Sequence, residues 1–382
     1  MIDRKQDWDP SSADVIRDQR AAYDEMRRRC PVARSELLGW SLFRHEDVTR
    51  VLADPGTFSN VVSIHRSVPN GMDPPEHTAY RKAIEPYFAP ERIQDFEPVC
   101  RRLADDLIAT IAAGSEFDFM DRVAIPFASR SQCAFLGWPQ EFVAPVREWT
   151  RSNREAILAA DRSALAMIAS EFESCIVGLL DERRRPGNAA PDDITSALMG
   201  VRVNGQPLTD KELTSIFRNW TVGEVGSMAA ALGILVGHLA RSPSLQRHLR
   251  DDPTAIPAAI EEMLRVEGPL VSNRRRATRD VTVGGRRIAA GDRVALMWIS
   301  ANRDESVFED ADSVHLDRDQ HANLLWGAGI HVCPGAPLAR LEMRVALEAL
   351  FATSKALVGG RAPPARLAFP ENGWASLPLR LG

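Results

Sequence analysis

Leu324-Leu325-Trp326-Gly327-Ala328-Gly329-Ile330-His331-Val332-Cys333-Pro334-Gly335-Ala336-Pro337-Leu338-Ala339-Arg340 is the stretch that decides how this chain reads. Glycines punctuate a loop that delivers one cysteine to the start of a helix-forming segment, 338–351. Gly327 and Gly329 can take backbone angles closed to other residues and let a flat ligand approach, while Pro334 and Pro337 suit a first helical turn. A sulfur at the positive end of a helix, facing free backbone N–H groups, is expected to be favoured as an anion. Such a thiolate could be a nucleophile, a zinc ligand or an axial ligand to haem iron.

Zinc needs three or four clustered ligands, and only His331 and the more distant His321 are near, with no CxxC pair in the chain; this argues against zinc. His331 could act as the base for a nucleophilic cysteine, but nothing else resembles a hydrolase signature. A buried structural cysteine in a tight turn is the plain alternative. The whole segment, however, resembles the haem-binding loop of the cytochromes P-450, F-G-x-G-x-H-x-C-x-G, with Trp326 where that family usually has Phe. The resemblance makes Cys333 the axial thiolate, puts His331 at a haem propionate, and sets Trp326 and Gly327 against the cofactor.

Three further motifs carry the same resemblance. Residues 73–81, Asp-Pro-Pro-Glu-His-Thr-Ala-Tyr-Arg, place His77 and Arg81 on one helical face. Taken alone the two could be a solvated surface. They match D-P-P-E-H-x-x-x-R of the family, which implies that both bind propionates, joined by Arg275 in preference to Arg276. In Ala258-Ala259-Ile260-Glu261-Glu262-Met263-Leu264-Arg265, Glu262 and Arg265 stand one turn apart. Such a pair is ordinarily worth a few tenths of a kcal/mol, roughly, on a helix surface. The resemblance makes it the family's buried Glu-x-x-Arg pair, with Arg318 as third member and His315 where Asp is usual.

The fourth motif is the central helix. Thr209 and Glu212 form a capping box that opens a helix able to run to Arg241, before Ser242-Pro243. The family's helix carries an acid and an alcohol that manage protons at bound oxygen; in this chain those positions fall on Gly226 and Ser227, or with a shift of one residue on Val225 and Gly226, and either way the acid is missing. Glu224, two residues before Gly226, is expected about 200° round the helix and therefore structural. Gly223 and Gly226 are expected to leave room for oxygen or substrate.

Composition fits a soluble enzyme. The chain has 382 residues, 45% hydrophobic and 26% charged, with a net charge of −5, which gives no support for a nucleic-acid partner. Residues 1–9 are polar and charged, so neither signal peptide nor membrane anchor is expected. The longest apolar stretch, 228–240, is short for a bilayer and interrupted by Gly233, Gly237 and His238. Five scattered cysteines suit a reducing compartment, hence a cytoplasmic protein.

Helical periodicity marks residues 97–113, 145–185 and 208–241, and 184–192 reads as an exposed loop. The clearest hairpin is 281–283, Gly284-Gly285, 286–288, followed by an alternating strand over 293–299. The expected fold is mainly α with a small β region, one cytochrome P-450 domain over 1–382. The resemblance implies haem b, O2, and insertion of one oxygen atom into a small or medium apolar organic substrate by hydroxylation or O-dealkylation. It also implies electrons from a separate ferredoxin or flavodoxin with its reductase, docked on a basic face formed by Lys82, Arg340 and Arg344. A peroxide-dependent haem-thiolate enzyme and a haem-based sensor are the alternatives. Substrate contacts are expected from Val222, Gly223, Gly226, Ser227, and segments 270–273, 374–377 and 59–72, the last a short lid.

Overall fold

The structure, a computed structural model, describes residues 6–63, 65–185 and 191–382. Residues 1–5 of the polar N-terminus, residue 64 of the expected lid and 186–190 of the expected loop lie outside the described residues. Helices of nine residues or more, numbered in chain order, are α1 (Gln19–Arg29), α2 (His45–Ala53), α3 (Glu76–Ile84), α4 (Pro90–Ala109), α5 (Ile125–Leu136), α6 (Val143–Leu158), α7 (Arg162–Arg184), α8 (Asp210–Arg241), α9 (Pro243–Asp251), α10 (Ile256–Val266) and α11 (Ala336–Thr353). The expected single helix over 145–185 is two. Ala160 takes a left-handed φ of 51°, and the Asp161 side chain then caps α7 by accepting from the Ala164 N–H.

The capping box at Thr209 and Glu212 is present and starts α8. That helix does not run uniformly: Val222–Gly226 is a π segment between two α stretches. A π segment holds more residues per turn than an α-helix, so it rotates everything beyond it relative to a straight count. From Met228 onward α8 is core, with Leu232, Leu235, Val236 and Leu239 fully buried. By length and composition α7 and α8 could each cross a membrane, but two-thirds of the α8 window (67%) is buried inside the protein, as in the core helix of a globular fold.

The strands form one five-stranded sheet and several smaller ones. A five-stranded sheet pairs Val32–Ser35, Gly39–Leu42, Arg293–Met297, Ser272–Ala277 and Phe58–Ser59 in that order; all pairs are antiparallel except Gly39–Leu42 with Arg293–Met297. The Val281–Val283 and Arg286–Ile288 hairpin forms as the sequence predicts, with Gly284 and Gly285 both at positive φ. The strand expected over 293–299 stops at Met297, where the short helix Trp298–Ala301 begins. Mainly α with small sheets is therefore the observed class, and the helices α4, α8, α10 and α11 enclose the largest apolar cluster.

Candidate active site

The loop before α11 folds as its glycines require. Gly327 and Gly329 adopt φ of 70° and 69°, and a Cβ on Gly329 would lie 2.7 Å from the Leu52 carbonyl oxygen. Backbone bonds from the Gly327 N–H to Leu324 (2.9 Å) and from the Cys333 N–H to Trp326 (2.8 Å) fix the turn. The Cys333 side chain opens on a cavity of about 600 Å³ and receives the backbone N–H groups of Gly335 and Ala336. Its thiol is not favoured as an anion in the protein alone. Desolvation raises its pKa above the ordinary value, and the two N–H groups and Arg81 only partly oppose that. A metal cation would reverse the balance, since a coordinating thiol is deprotonated outright.

Four nitrogen-bearing side chains stand at or beside the same cavity. The His77 and His331 rings lie 4.1 Å apart; both nitrogens of His77 and Nε2 of His331 are buried with no hydrogen-bond partner among the described residues. Burial, with the neighbouring His77 and cations, brings His331 down to about 3, and burial also lowers His77, so both rings are neutral. Arg275 is buried and, among the described residues, donates only to the Arg274 carbonyl, its pKa brought down to about 10 by desolvation; Arg276 is exposed. Arg81 donates to the Val332 carbonyl at 2.7 Å and pairs with Glu85 at 2.9 Å. Two cations and the His331 imidazole on one cavity, with the His77 ring beside His331, fit a ligand that brings two carboxylates.

Trp326 is anchored from behind. Its Nε1 donates to Glu261 at 2.9 Å, Glu261 pairs with Arg340 at 2.6 Å, and Arg340 lies over the indole at 4.8 Å. Glu261 was not marked by the sequence reading, although it adjoins Glu262. Glu262 and Arg265 are both fully buried and joined twice, at 2.8 and 2.9 Å. Arg318 (2.8 Å) and Gln320 (3.1 Å) complete the carboxylate, and Arg265 spends its other N–H groups on the carbonyls of Asn302, Ala311 and Ser313. Burial pushes the Glu262 carboxyl up, but the bonds from Arg265, Gln320 and Arg318 hold it below the usual range. His315, where an Asp was expected, turns its ring to Asp310 at 2.9 Å and offers Glu262 only its backbone N–H.

On the wall formed by α8, Gly223, Glu224 and Ser227 line the cavity; Gly226 and Val222 are exposed but are not part of its lining. The Ser227 hydroxyl donates to the Gly223 carbonyl. Glu224 does not point away from the site. The π segment carries its carboxyl to the cavity wall against Glu342 of α11, with which it hydrogen bonds. Segment 374–377 is also absent from the lining: Trp374 is buried against Gly233 and Gly237 instead. Leu270 and Asn273 do line the cavity, as do Asn60, Ser67 and Asn70 of the lid, and so does Arg218, which the sequence reading passed over. Two of the three residues of the expected basic face, Arg340 and Arg344 but not Lys82, carry ion pairs among the described residues. Arg340 is held by Glu261, and Arg344 by Glu97 (2.7 Å) and Glu348 (3.1 Å).

A cysteine sulfur opening on a cavity, with cationic and imidazole donors at or beside it, fits a haem macrocycle and its two propionates. Comparison with known proteins agrees. The sequence model described as Cytochrome P450 matches residues 155–369. Nocardicin C N-oxygenase of Nocardia uniformis subsp. tsuyamanensis is 36% identical, covering 98% of this chain and 94% of its own length. Mycinamicin IV hydroxylase/epoxidase of Micromonospora griseorubida is 33% identical over 92% of this chain and 89% of that one. The open form of cytochrome P450 EryK from S. erythraea superposes with a TM-score of 0.87 at 30% identity, covering 95% of each chain. The chain belongs to the cytochrome P450 family and is an oxidoreductase of the monooxygenase type.

Proposed function

We propose that this P450 binds haem b through Cys333 and inserts one atom of O2 into a small or medium organic substrate held above it. What carries the reading is the Cys333 sulfur opening on the same cavity as His331 and the buried Arg275, with the His77 ring against His331. In this reading Arg81, Arg275, His77 and His331 neutralise the propionates, and Trp326 and Gly327 flank the cofactor. When bound, haem supplies the redox chemistry that activates oxygen. The chain's own contribution is to fix the thiolate, hold substrate between the lid and α8, and deliver protons from the α8 wall, with the Ser227 hydroxyl beside the cavity.

Apolar side chains such as Leu270, Ala231 and Trp220 would hold the substrate body, while Arg218 and the lid asparagines would meet a polar substituent. Electrons come in this reading from a ferredoxin or flavodoxin with its reductase, seated behind Cys333 on a groove lined by Ile93, Ala258, Pro337 and Leu341. With Arg340 and Arg344 already paired, that docking rests more on shape and apolar contact than on net positive charge. A reducing, cytoplasmic setting suits the free cysteines. The decisive experiment is the CO spectrum of the reduced protein: a strongly red-shifted Soret band is expected, and Cys333→Ser should abolish it. An unchanged band in that variant would remove the basis of the assignment.

A further inference from the structure

Four arginines line the cavity, and haem accounts for two of them. Arg275 and Arg81 are the cations beside His331 and belong to the propionates in the proposed reading. Arg274 is exposed on its strand, where water meets its charge. Arg218 is left over. It lies on α8 ahead of the π segment, half-buried, and among the described residues neither an ion pair nor a hydrogen bond engages its guanidinium. Glu224 is the one carboxylate among the described residues lining the cavity; burial raises it to about 7, and no arginine opposes that rise. Asn219, the next residue along, is already engaged: it donates to the Val68 carbonyl at 2.8 Å and accepts from the Ser67 hydroxyl at 3.1 Å, pinning the lid to α8. A cation drawn partly out of water with no acceptor costs free energy until a ligand supplies one.

We propose that the substrate carries a carboxylate and that Arg218 binds it, while the carbon to be oxidised lies further along the α8 wall beside Ser227. The inference deepens the monooxygenase reading and rests on it. Arg218 precedes Ser227 by nine residues, about 13 Å along the helix at roughly 1.5 Å per residue. Between them Gly223 leaves the wall bare, since a Cβ there would meet nothing within 4 Å. Several bonds of apolar skeleton, lying along that wall, therefore separate the acid from the reacting carbon. Arg218 selects and orients the substrate and takes no part in the chemistry. The planar guanidinium fork matches a carboxylate through two parallel N–H bonds. A phosphate ester, at about −1.5 to −2, would set excess negative charge against one cation, so a monoanion is the better match. A neutral amide or ketone would accept a bond and still leave the arginine's charge unmet.

The test fixes one end of a small molecule at the iron and lets its tail find Arg218. Imidazol-1-yl alkanoic acids of graded chain length, each beside its own methyl amide, are titrated into the haem-loaded protein, with the Soret shift on nitrogen ligation as the readout. At one or more lengths the acid should bind about 10- to 100-fold tighter than the amide, and the gap should narrow as salt rises. Arg218→Gln should bring the acid down to the amide's affinity and leave the amide's own affinity unchanged. Arg218→Lys should keep part of the preference, because the charge remains and the fork does not. Equal affinities for acid and amide at every length overturn the proposal, and so does a preference that survives Arg218→Gln, which would hand the anion to Arg274. Should Arg218→Gln fail to hold haem, Arg218→Lys decides by the same comparison, an undiminished preference counting against Arg218. The CO spectrum keeps the two levels apart: loss of the thiolate band in the unmodified protein fails the monooxygenase reading, whereas an intact band without any preference for acids fails this proposal alone.

Discussion

Two buried polar clusters lie within this fold and are built in opposite ways. Around Glu262 every charge is met: Arg265, Arg318 and Gln320 take the carboxylate, and backbone carbonyls take the rest of Arg265. At the cavity, by contrast, nitrogens of His331 and of the neighbouring His77, and oxygens of Glu224 and of Glu342 behind it, are unmet among the described residues, and Arg275 has only a backbone acceptor. An unmet buried group costs about 1–3 kcal/mol, so a protein keeps several in one place only where something else completes them. Saturation marks the part of the molecule that holds the fold, and want of partners marks the part that works.

The sharpest way to break this contrast is Arg265→Ala. It strands the Glu262 carboxylate and should remove about 3–5 kcal/mol, enough to lose the folded holoprotein; an unchanged thermal melt would place the pair outside the fold's framework. Arg275→Ala should behave differently. It relieves a buried cation that has no ion pair among the described residues, Asp73 offsetting its burial only in part, so the haem-free protein should melt no lower than wild type, while haem affinity measured by titration of that protein should fall by about 1.5–3 kcal/mol. Destabilisation of the haem-free form comparable to Arg265→Ala would erase the distinction.

The third test is pH. The Glu224 and Glu342 carboxyls are raised in the folded state, so above their ordinary range the folded protein holds a proton that the unfolded chain has released. Stability from this pair is therefore present at low pH and lost as pH rises towards and through 7, at most about 1.4 kcal/mol per pH unit per proton. Chemical denaturation from pH 5 to 8 should show that decline, and the double variant Glu224→Gln/Glu342→Gln should flatten it. The smallest effect is expected at Arg344→Glu. Its charge is already balanced by Glu97 and Glu348, and exposed pairs contribute about 0.2–1 kcal/mol. Reduction by the redox partner should depend only weakly on salt, and a steep salt dependence in stopped-flow reduction would restore the basic docking face.

What could be read without the structure was what the chain keeps local. The cysteine loop, the Asp73–Arg81 segment, the Glu262/Arg265 turn and the Thr209 capping box each write their geometry within a few residues. Partners that arrive from elsewhere left no such mark: Gln320 on Glu262, Glu261 behind Trp326, and Glu342 against Glu224 are brought together only by helix packing. Counting at a fixed pitch along α8 failed for a physical reason, since the π segment at 222–226 alters the pitch where the count was applied. The break at Ala160 was hidden because a left-handed alanine has no sequence signature of its own.

The glycines of α8 divide the helix into a part open to revision and a part closed to it. A methyl on Gly233 or Gly237 would come within 2.6 Å of Met120 or of the Trp374 indole, whereas one on Gly223 or Gly226 would meet nothing within 4 Å. Alanine at the latter pair should strengthen the helix by up to about 1 kcal/mol each while trimming space at Gly223, the one of the two that lines the cavity. Selection for a smaller substrate at that position would thus meet no stability penalty, an inversion of the usual trade-off that makes residue 223 a natural first position for a directed-evolution library.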